Sequence, residues 1–378
     1  MKAKYQTIQV DLRDHVAVFN MNNPPVNQLS AQFRADLAEA FDEAYGDAGV
    51  KAIVITGTGK NFIAGADITE IQHVKSKDEL VTGMMASMKF MNGIETGSKP
   101  VVAAINGNCL GGGLEIAMCC HYRVAVTGIN LGQPEVQIGL IPGAGGTQRL
   151  PRLIGLRYAL EMITIGKPIK AEVAHQRGLV DEVTDPAKLV DAAVKAAGRF
   201  VAGELNVKAR ATRNRHHWIP SAAEKKAMMD FTKAMTAAQA KGYIAPFKAV
   251  EAIDKGLSYD IDVDLKREAE LFADCAVSDV ANNLIGIFLN TRAAGRLPRI
   301  EGIEPAMIRP VATLGGGVMG SGIVNLLHKG GFETVLRDIN DGALEKGVGS
   351  VRKTFDYPIK KGKMKPADLE NMFAKQLT

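Results

Sequence analysis

Two glutamates that stand beside glycine-rich segments are the residues of this sequence best suited to chemistry. Glu115 follows three consecutive glycines at positions 111–113, and Glu135 follows Pro134 shortly downstream. Consecutive glycines let backbone N–H groups approach a ligand closely, because no Cβ stands in the way. At the start of a helix such N–H groups lack intrahelical partners and favour negative charge. Two carboxylates beside such an anion hole predict acid and base catalysis on one water molecule.

Glu115 has a second interpretation when it is considered alone. An acid in the first turn of a helix can simply complement the helix dipole. However, residues 114–120 are otherwise apolar, so this helix is predicted to be buried. A buried carboxylate is costly without a partner or a function. Glu135, which precedes a second apolar stretch, therefore favours the catalytic interpretation of both residues.

The glycine-rich segments resemble the fingerprints of the crotonase (enoyl-CoA hydratase/isomerase) superfamily. The matching segments are residues 61–68, 106–107, 111–115, 132–135 and 141–150. The resemblance implies that the thioester carbonyl of an acyl-CoA lies between the backbone N–H groups of Ala66 and Gly112, while Glu115 and Glu135 hold a water molecule. It also implies substrate contacts from a wider set of residues, namely Val26, Ala64, Gly65, Asp67, Ile68, Gly111, Pro142 and Gly143.

The function implied by this resemblance is that of a 2-enoyl-CoA hydratase, which converts a trans-2-enoyl-CoA to a 3-hydroxyacyl-CoA in fatty-acid β-oxidation without a cofactor or a metal. Three alternatives remain. A Δ3-Δ2-enoyl-CoA isomerase would need only one carboxylate in the same pocket. A bifunctional hydratase and dehydrogenase would need a complete second domain. A non-enzymatic trimeric scaffold would not need either glutamate. The resemblance implies a homo-trimer or, as in multifunctional relatives, a monomer.

The elements that must position these residues follow an α/β pattern. Strand-like segments at 8–10, 16–19, 51–56, 101–105 and 122–126 alternate with helical ones, which predicts a parallel sheet with crossover helices. The resemblance implies a crotonase-type ββα spiral over residues 1–190, followed by C-terminal helices and a linker helix over 191–300. We expect one helix over 147–165, a helical face formed by Ile285, Phe288 and Leu289, and a linker over 292–310.

A methionine-rich segment is predicted to form a helix near residue 90. Its methionines either fill the core or form a flexible wall for acyl chains; they are Met84, Met85, Met88 and Met91.

Residues 301–378 change in character. A strand at 310–314 leads into Gly315, Gly317 and Gly320, a helix follows, and a strand at 334–337 ends at Asp338. This order fits a dinucleotide-binding fingerprint, although a tight strand-to-helix turn would look similar. The segment resembles the start of the 3-hydroxyacyl-CoA dehydrogenase part of multifunctional β-oxidation enzymes. We expect an incomplete Rossmann-type βαβ segment with weak NAD binding and no dehydrogenase activity.

Composition excludes few classes of protein. The 378 residues are 46% hydrophobic and 23% charged with a formal net charge of +5, as in ordinary globular proteins.

The basic stretch 208–218 lacks a nucleic-acid-binding motif, so we expect a solvated face and no nucleic-acid partner. The four cysteines have no metal-ligand spacing and predict buried free thiols in a reducing compartment. No signal peptide or transmembrane run is apparent, which predicts a cytoplasmic location if the protein is bacterial.

Overall fold

The computed structural model describes residues 1–74, 76–240, 242–295, 302–304, 306–308 and 310–377. The chain divides into two compact units, Met1–Arg296 and Leu297–Thr378. Each unit has its own hydrophobic core. The predicted subdivision of the first unit near residue 190 stays a prediction.

The first unit is built on two sheets. The larger has the strand order β1-β2-β3-β5-β7-β10, in which β1 and β2 are antiparallel and the remaining neighbours are parallel; the smaller has the order β4-β6-β8-β9. The strands are β1 (Ile8–Arg13), β2 (Val16–Met21), β3 (Ala52–Gly57), β4 (Asn61–Ala64), β5 (Val101–Ile105), β6 (Asn108–Leu110), β7 (Tyr122–Val126), β8 (Asn130–Gly132), β9 (Ile169–Lys170) and β10 (Glu182–Thr184).

Three successive strand pairs give the first unit its spiral form. The pairs β3–β4, β5–β6 and β7–β8 each place one strand in the large sheet and the next in the small sheet, and a helix follows each pair. Asparagines at the start of β4, β6 and β8 bond to one another, because Asn108 donates to Asn61 at 3.2 Å and Asn130 donates to Asn108 at 3.1 Å. These bonds hold successive turns of the spiral in register.

Helices surround the two sheets. Ser30 caps α1, since its hydroxyl accepts from the Phe33 N–H at 3.4 Å. The helices of the first unit are α1 (Ala31–Gly46), α2 (Ile68–His73), α3 (Lys77–Thr96), α4 (Gly112–Cys119), α5 (Gly146–Ile154), α6 (Leu156–Ile165), α7 (Ala171–Gln176), α8 (Leu189–Val201), α9 (Val207–Arg210), α10 (Ala222–Gln239), α11 (Ala245–Lys255), α12 (Ile261–Ala276) and α13 (Asp279–Ala294).

Several sequence predictions need correction. The single helix expected over 147–165 is two helices, because Gly155 between α5 and α6 has a φ of 79° that a helix cannot contain. Of the face expected on α13, Ile285 is buried but Phe288 is 38% exposed. The linker expected over 292–310 begins later, since α13 continues to Ala294; its residues 296–301, 305 and 309 lie outside the described residues.

The four methionines of α3 differ in burial. Met88 and Met91 are buried, and Met88 packs with Ile261 and Leu265 of α12 in a small core cluster. Met84 and Met85 are half-buried. Core filling therefore accounts for two of the four side chains.

The second unit contains a parallel pair of strands joined by a helix. β11 (Val311–Leu314) pairs with β12 (Thr334–Arg337) in register, and α14 (Val318–Lys329) connects them. Three helices follow: α15 (Asp341–Lys353), α16 (Asp356–Lys360) and α17 (Pro366–Gln376). Their shared core is formed by Val324, Leu336, Val351, Phe355, Leu369 and Phe373.

Within the described residues, no single helix is long and apolar enough to cross a membrane, although α12 and α13 meet that criterion when they are counted together across a 74° bend.

Candidate active site

Glu115 is fixed in the first turn of α4 by a turn that is distant in sequence. Its side chain is 3% exposed, and its Oε1 accepts from the backbone N–H groups of Ala144 and Gly146, both at 2.7 Å. A Cβ at Gly146 would lie 2.8 Å from this same Oε1 and 2.6 Å from the Cβ of Pro142. Only glycine therefore fits at position 146 without displacing the carboxylate.

Glu135 lies on the other side of the same glycine-rich helix start. It begins a 3₁₀ helix, Glu135–Ile138, and is half-buried. A Cβ at Gly111, whose φ is 53°, would lie 2.8 Å from the Oε1 of Glu135. When the amide of buried Gln133 is oriented with its nitrogen toward Glu135, it donates to both carboxylate oxygens, at 2.9 and 3.2 Å. Gln133 was not selected from the sequence as a site residue.

The backbone nitrogens of Ala66 and Gly112 lie near the carboxylate of Glu115. The position that a Cβ would take at Gly112 lies 3.7 Å from the nitrogen of Ala66 and 4.0 Å from the Oε2 of Glu115. Neither the Ala66 nor the Gly112 N–H donates a backbone hydrogen bond within the part of the chain that the structure describes. Because Gly112 is the first residue of α4, its free N–H also benefits from the helix dipole.

The residues predicted to contact substrate fall into two groups. Pro142 and Gly143 lie in the turn that holds Glu115, where a Cβ at Gly143 would collide with Met84 and Phe272. The others surround Ala66 or Gly111. Ala64 donates to the Val26 carbonyl at 3.3 Å, and Gly65, with a φ of 93°, accepts from Leu29 at 3.0 Å.

Asp67 and Ile68 have structural roles at the start of α2. The carboxylate of Asp67 caps α2 by accepting from the Thr69 N–H at 3.1 Å, and it also accepts from Gln28 at 3.0 Å. Ile68 packs against the core. The contacts of Asp67 thus serve the loop that presents Ala66.

The two carboxylates titrate as a coupled pair. Burial raises the pKa of Glu115 above its ordinary value, while the N–H groups of Ala144 and Gly146 and the charge of Arg149 oppose that rise. Burial and then the charge of Glu115 raise the pKa of Glu135 well above its ordinary value. The negative charge of either glutamate therefore opposes ionisation of the other.

A third carboxylate, Glu268 of α12, was missed by the sequence analysis. It is fully buried, and burial followed by the charge of Glu115 raises its pKa to about 8. The sequence does contain an indication of this residue. Glu268 lies in the middle of the apolar face of α12, with Leu265 three residues before it and Leu271 and Phe272 three and four residues after it. An acid at such a position is expected to have a partner.

A buried ion pair, also missed, lies beneath the glutamates. Arg149 of α5 contacts Glu95 of α3 at 3.0 Å, with both side chains fully buried, and donates to Asn92 at 2.6 Å. The guanidinium also donates to the carbonyl of Ala144 at 3.3 Å. It thus supports the turn that holds Glu115 from the opposite side.

The glycine turn of the second unit fits the adenosine side of a dinucleotide. Gly315 has a φ of 90°, and a Cβ at Gly320 would collide with its carbonyl oxygen. Gly317 begins α14 without a side-chain cap, so the N-terminus of this helix is open to an anion. Asp338, at the end of β12, accepts from the Gly316 N–H at 2.7 Å, and this bond lowers the pKa of its carboxyl group.

Other sequence predictions can now be compared with the structure. All four cysteines are buried and free, as expected. In the basic stretch 208–218, Arg210 pairs with Asp181, and Arg213 pairs with Asp262 at 2.7 Å. These two cations therefore have acidic partners within the protein.

The spiral and the site define a crotonase-type protein, and comparison with known families agrees. Residues 11–244 match the family described as enoyl-CoA hydratase/isomerase, and residues 310–377 match the 3-hydroxyacyl-CoA dehydrogenase NAD binding domain. The first match covers more than half of the chain. The protein therefore belongs to the enoyl-CoA hydratase/isomerase family. The fold class and both resemblances predicted from the sequence are confirmed.

Similar proteins include fatty-acid β-oxidation proteins that are longer than this chain. The chain is 38% identical to the glyoxysomal fatty acid beta-oxidation multifunctional protein MFP-a of Brassica napus, over 96% of this chain and 50% of that protein. It is 36% identical to the fatty acid oxidation complex subunit alpha of Pseudomonas putida, over 93% of this chain and 50% of that protein. The chain thus spans about half the length of these relatives.

Solved structures share the fold of the first unit. The enoyl-CoA hydratase of Bacillus anthracis is 30% identical, with a TM-score of 0.51 over 65% of this chain and 96% of that one. The human mitochondrial delta3-delta2-enoyl-CoA isomerase is 22% identical, with a TM-score of 0.57 over 77% of this chain and all of that one. The latter similarity concerns the fold alone.

Proposed function

We propose that this chain is a 2-enoyl-CoA hydratase, which adds water across the trans-2 double bond of an acyl-CoA to give a 3-hydroxyacyl-CoA in fatty-acid β-oxidation. The observation that supports the proposal is the presence of two carboxylates, Glu115 and Glu135, at the first turn of α4, together with the backbone nitrogen of Ala66 beside Gly112. The family of the chain and the names of its relatives support the same reaction.

The backbone N–H groups of Ala66 and Gly112 form the oxyanion hole of this proposal. They receive the thioester oxygen, on which negative charge develops as water attacks C3. A single donor of this kind contributes about 3–4 kcal/mol to transition-state stabilisation. The predicted substrate contacts, Val26, Ala64, Gly65, Asp67, Ile68, Gly111, Pro142 and Gly143, surround this position in the proposal.

The proposal gives the two glutamates different roles. Glu115 in its ionised form takes a proton from water as the oxygen bonds to C3. Glu135 in its protonated form, which burial and the charge of Glu115 favour, gives its proton to C2 as the electrons of the double bond move there. The turnover leaves Glu115 protonated and Glu135 ionised, and the pair returns to its starting state by proton exchange with water.

A hydration assay tests the proposal directly. The protein is supplied with crotonyl-CoA and, separately, with a long-chain 2-enoyl-CoA, and loss of the conjugated double bond is followed by its ultraviolet absorbance. We expect turnover of at least one substrate. A protein that instead converts a 3-enoyl-CoA to the 2-enoyl isomer without hydrating it is the isomerase alternative.

A second candidate, a bifunctional hydratase and 3-hydroxyacyl-CoA dehydrogenase, is favoured by the match of residues 310–377. In such a protein the pyrophosphate and adenosine ribose of NAD would be held by Gly315, Gly317, Gly320 and Asp338. Bound NAD would accept a hydride from the substrate. The catalytic residues of a dehydrogenase would have to come from sequence beyond these 378 residues, so NAD use by this chain stays a proposal.

We also propose a cytoplasmic location and either a homo-trimer or a monomer. The four buried free cysteines support a reducing compartment. The plant relatives are named as glyoxysomal or peroxisomal, which makes a peroxisome-type organelle the alternative. Subcellular fractionation and analytical ultracentrifugation distinguish these options.

A further inference from the structure

Four consecutive backbone N–H groups in the turn that leads into the first residues of α5 (residues 144–147) are divided between two glutamates. Ala144 and Gly146 donate to Glu115, both at 2.7 Å. Gly145 and Thr147 donate to Glu268, at 2.5 and 2.8 Å. The Thr147 hydroxyl also donates to Glu268. The turn thus lies between the two carboxylates, and a shift of either one moves the donors of the other.

The turn needs such an anchor because its sequence is flexible. Gly143, Gly145 and Gly146 stand within four residues, and glycine loses more conformational freedom on folding than any other residue. Glu268 is fully buried on α12, which contributes no other acceptor to this turn among the described residues. A buried carboxylate that accepts from two backbone N–H groups and a hydroxyl provides a rigid anchor.

We propose that Glu268 is a positioning residue for the hydration proposed above, on which this inference rests. It holds the 143–147 turn so that the turn presents two N–H donors to Glu115. Glu268 does not contact the reacting atoms. It acts through the geometry of Glu115 and through the charge that Glu135 experiences.

The charge of Glu268 has a defined effect on the acid of the pair. Glu268 is among the groups that raise the pKa of Glu135, after burial and the charge of Glu115. Because the pKa of Glu268 is about 8, this group is ionised on the alkaline side of the profile, where its charge favours the protonated form of Glu135 that donates a proton to C2. Removing this charge lowers the pKa of Glu135, so the alkaline limb of the activity profile moves to lower pH.

The other charged groups near Glu268 are held in pairs. From α5, Arg149 reaches toward it but is paired with Glu95 of α3. Also from α5, Arg152 contacts Asp264 of α12 at 3.5 Å. From α11, Lys248 pairs with Asp274 near the far end of α12 at 3.0 Å, and the buried side chains of α13 are Ala281 and Ile285. Glu115 is thus the charge that most affects Glu268.

The test compares Glu268→Gln with the wild-type protein and with Asp264→Asn. The control removes a buried carboxylate from the same helix one turn earlier, where Asp264 accepts from Ser258 at 2.8 Å and does not contact the 143–147 turn. For each protein, kcat and KM for crotonyl-CoA are measured against pH, and folding is checked by circular dichroism and thermal unfolding.

We expect Glu268→Gln to lower kcat at least about tenfold with KM changed less than about twofold, because misplacement of a catalytic group affects the chemical step more than binding. The alkaline limb should move to lower pH. In Asp264→Asn the limb should remain at the wild-type pH. A folded Glu268→Gln protein with wild-type kcat and alkaline limb, or one that loses only thermal stability, would overturn the proposal.

Glu268→Asp keeps the inference testable if the glutamine variant does not fold. Aspartate retains the charge but is too short to reach both N–H groups. We expect kcat to fall while the alkaline limb stays near its wild-type position, and a wild-type kcat in this folded variant would contradict the positioning role.

If the wild-type protein itself does not hydrate any enoyl-CoA, the proposed function fails. An active wild type with an unaltered Glu268→Gln variant refutes this inference alone.

Discussion

The two glutamates on either side of the α4 N-terminus give the sharpest prediction at the level of single residues. Glu115→Gln and Glu135→Gln should each lower kcat for crotonyl-CoA by at least about 100-fold, since a positioned acid–base group contributes about 10²–10⁴. Glutamine preserves shape and removes the proton-transfer function. The control is Asp36→Asn, which alters a buried carboxylate bonded to Thr7 instead. Near wild-type hydration by both glutamine variants would refute the assignment.

The pH dependence of hydration follows from the same two residues. Activity needs Glu115 ionised and Glu135 protonated, and both pKa values are raised, that of Glu135 more strongly. As pH falls through the pKa of Glu115 the base is lost, and as pH rises through the pKa of Glu135 the acid is lost. We expect a bell-shaped profile of kcat/KM, measured by initial rates. An activity that rises steadily with pH would show that Glu135 does not act as the acid.

At the scale of elements, the start of α4 can be tested through its backbone. Gly112→Pro removes one N–H of the proposed oxyanion hole, and proline at the first position of a helix is normally tolerated. We expect turnover to fall by about two orders of magnitude or more, the effect of one lost donor, while CoA binding survives. Activity is measured with crotonyl-CoA and folding by circular dichroism.

Gly112→Ala is the matched control for this backbone prediction. Alanine keeps the N–H and adds a Cβ 3.0 Å from the Cδ1 of Leu29, the end of a flexible side chain. It should therefore retain more activity than the proline variant. Equal losses in the two variants would attribute the effect to bulk and not to the missing donor.

The turn before α5 is the second element that the site depends on. In Gly146→Ala the added Cβ would lie 2.8 Å from Glu115 Oε1 and 2.8 Å from the side-chain amide of Gln133, so the carboxylate must move. We expect kcat to fall at least about tenfold, because catalytic groups are sensitive to displacements near 1 Å. Gly93→Ala in α3 is the control, since nothing lies within 4 Å of its added Cβ and alanine favours the helix. Equal kcat values in the two variants would contradict this account.

The sequence predicted the bounds of an element correctly where neighbouring residues define that element. The strands at 101–105, 122–126 and 334–337 have the predicted bounds, because short apolar runs between polar or glycine residues define them. The break at Gly155 was missed because an isolated glycine within an apolar periodic pattern is often tolerated in a helix. The sequence alone could not show that its φ is positive.

The residues of the candidate site also divide into those that local sequence patterns indicate and those that depend on distant contacts. Glu115, Glu135, Ala66 and Gly112 stand in local glycine-rich fingerprints and could be selected from the sequence. Glu268 reaches the turn across 121 to 123 residues, and Arg149 reaches Glu95 across 54. Contacts of that length are set by how α3, α5 and α12 pack. The only sequence signal for Glu268 was an acid on an otherwise apolar helical face.

At the scale of the whole molecule, two units with separate cores carry two different kinds of site. The first unit contains the carboxylates and the proposed oxyanion hole, whereas the second contains a glycine turn suited to an anion. The relatives that match both units are about twice as long as this chain. Activities of those longer proteins that depend on their remaining sequence do not transfer to residues 1–378.

The final prediction concerns NAD and applies to a protein of these 378 residues. We expect weak NAD binding and no NADH formation with 3-hydroxybutyryl-CoA. The described part of the second unit contains two strands, and its glycines and Asp338 would hold only the pyrophosphate and adenosine ribose of NAD. Hydride transfer also requires groups that place the nicotinamide ring against the substrate. Isothermal titration measures the affinity, and absorbance of NADH measures turnover.

Asp338→Ala is the control for that prediction, because it removes the carboxylate expected to bind the ribose and leaves the hydratase site of the first unit unchanged. Its weak NAD affinity should fall further, while hydration of crotonyl-CoA stays at the wild-type rate. Steady NADH production by the wild-type protein that is abolished in Asp338→Ala would contradict the prediction. The dinucleotide turn of residues 315–320 would then belong to a working dehydrogenase, and the bifunctional candidate would take the place of a hydratase with a single activity.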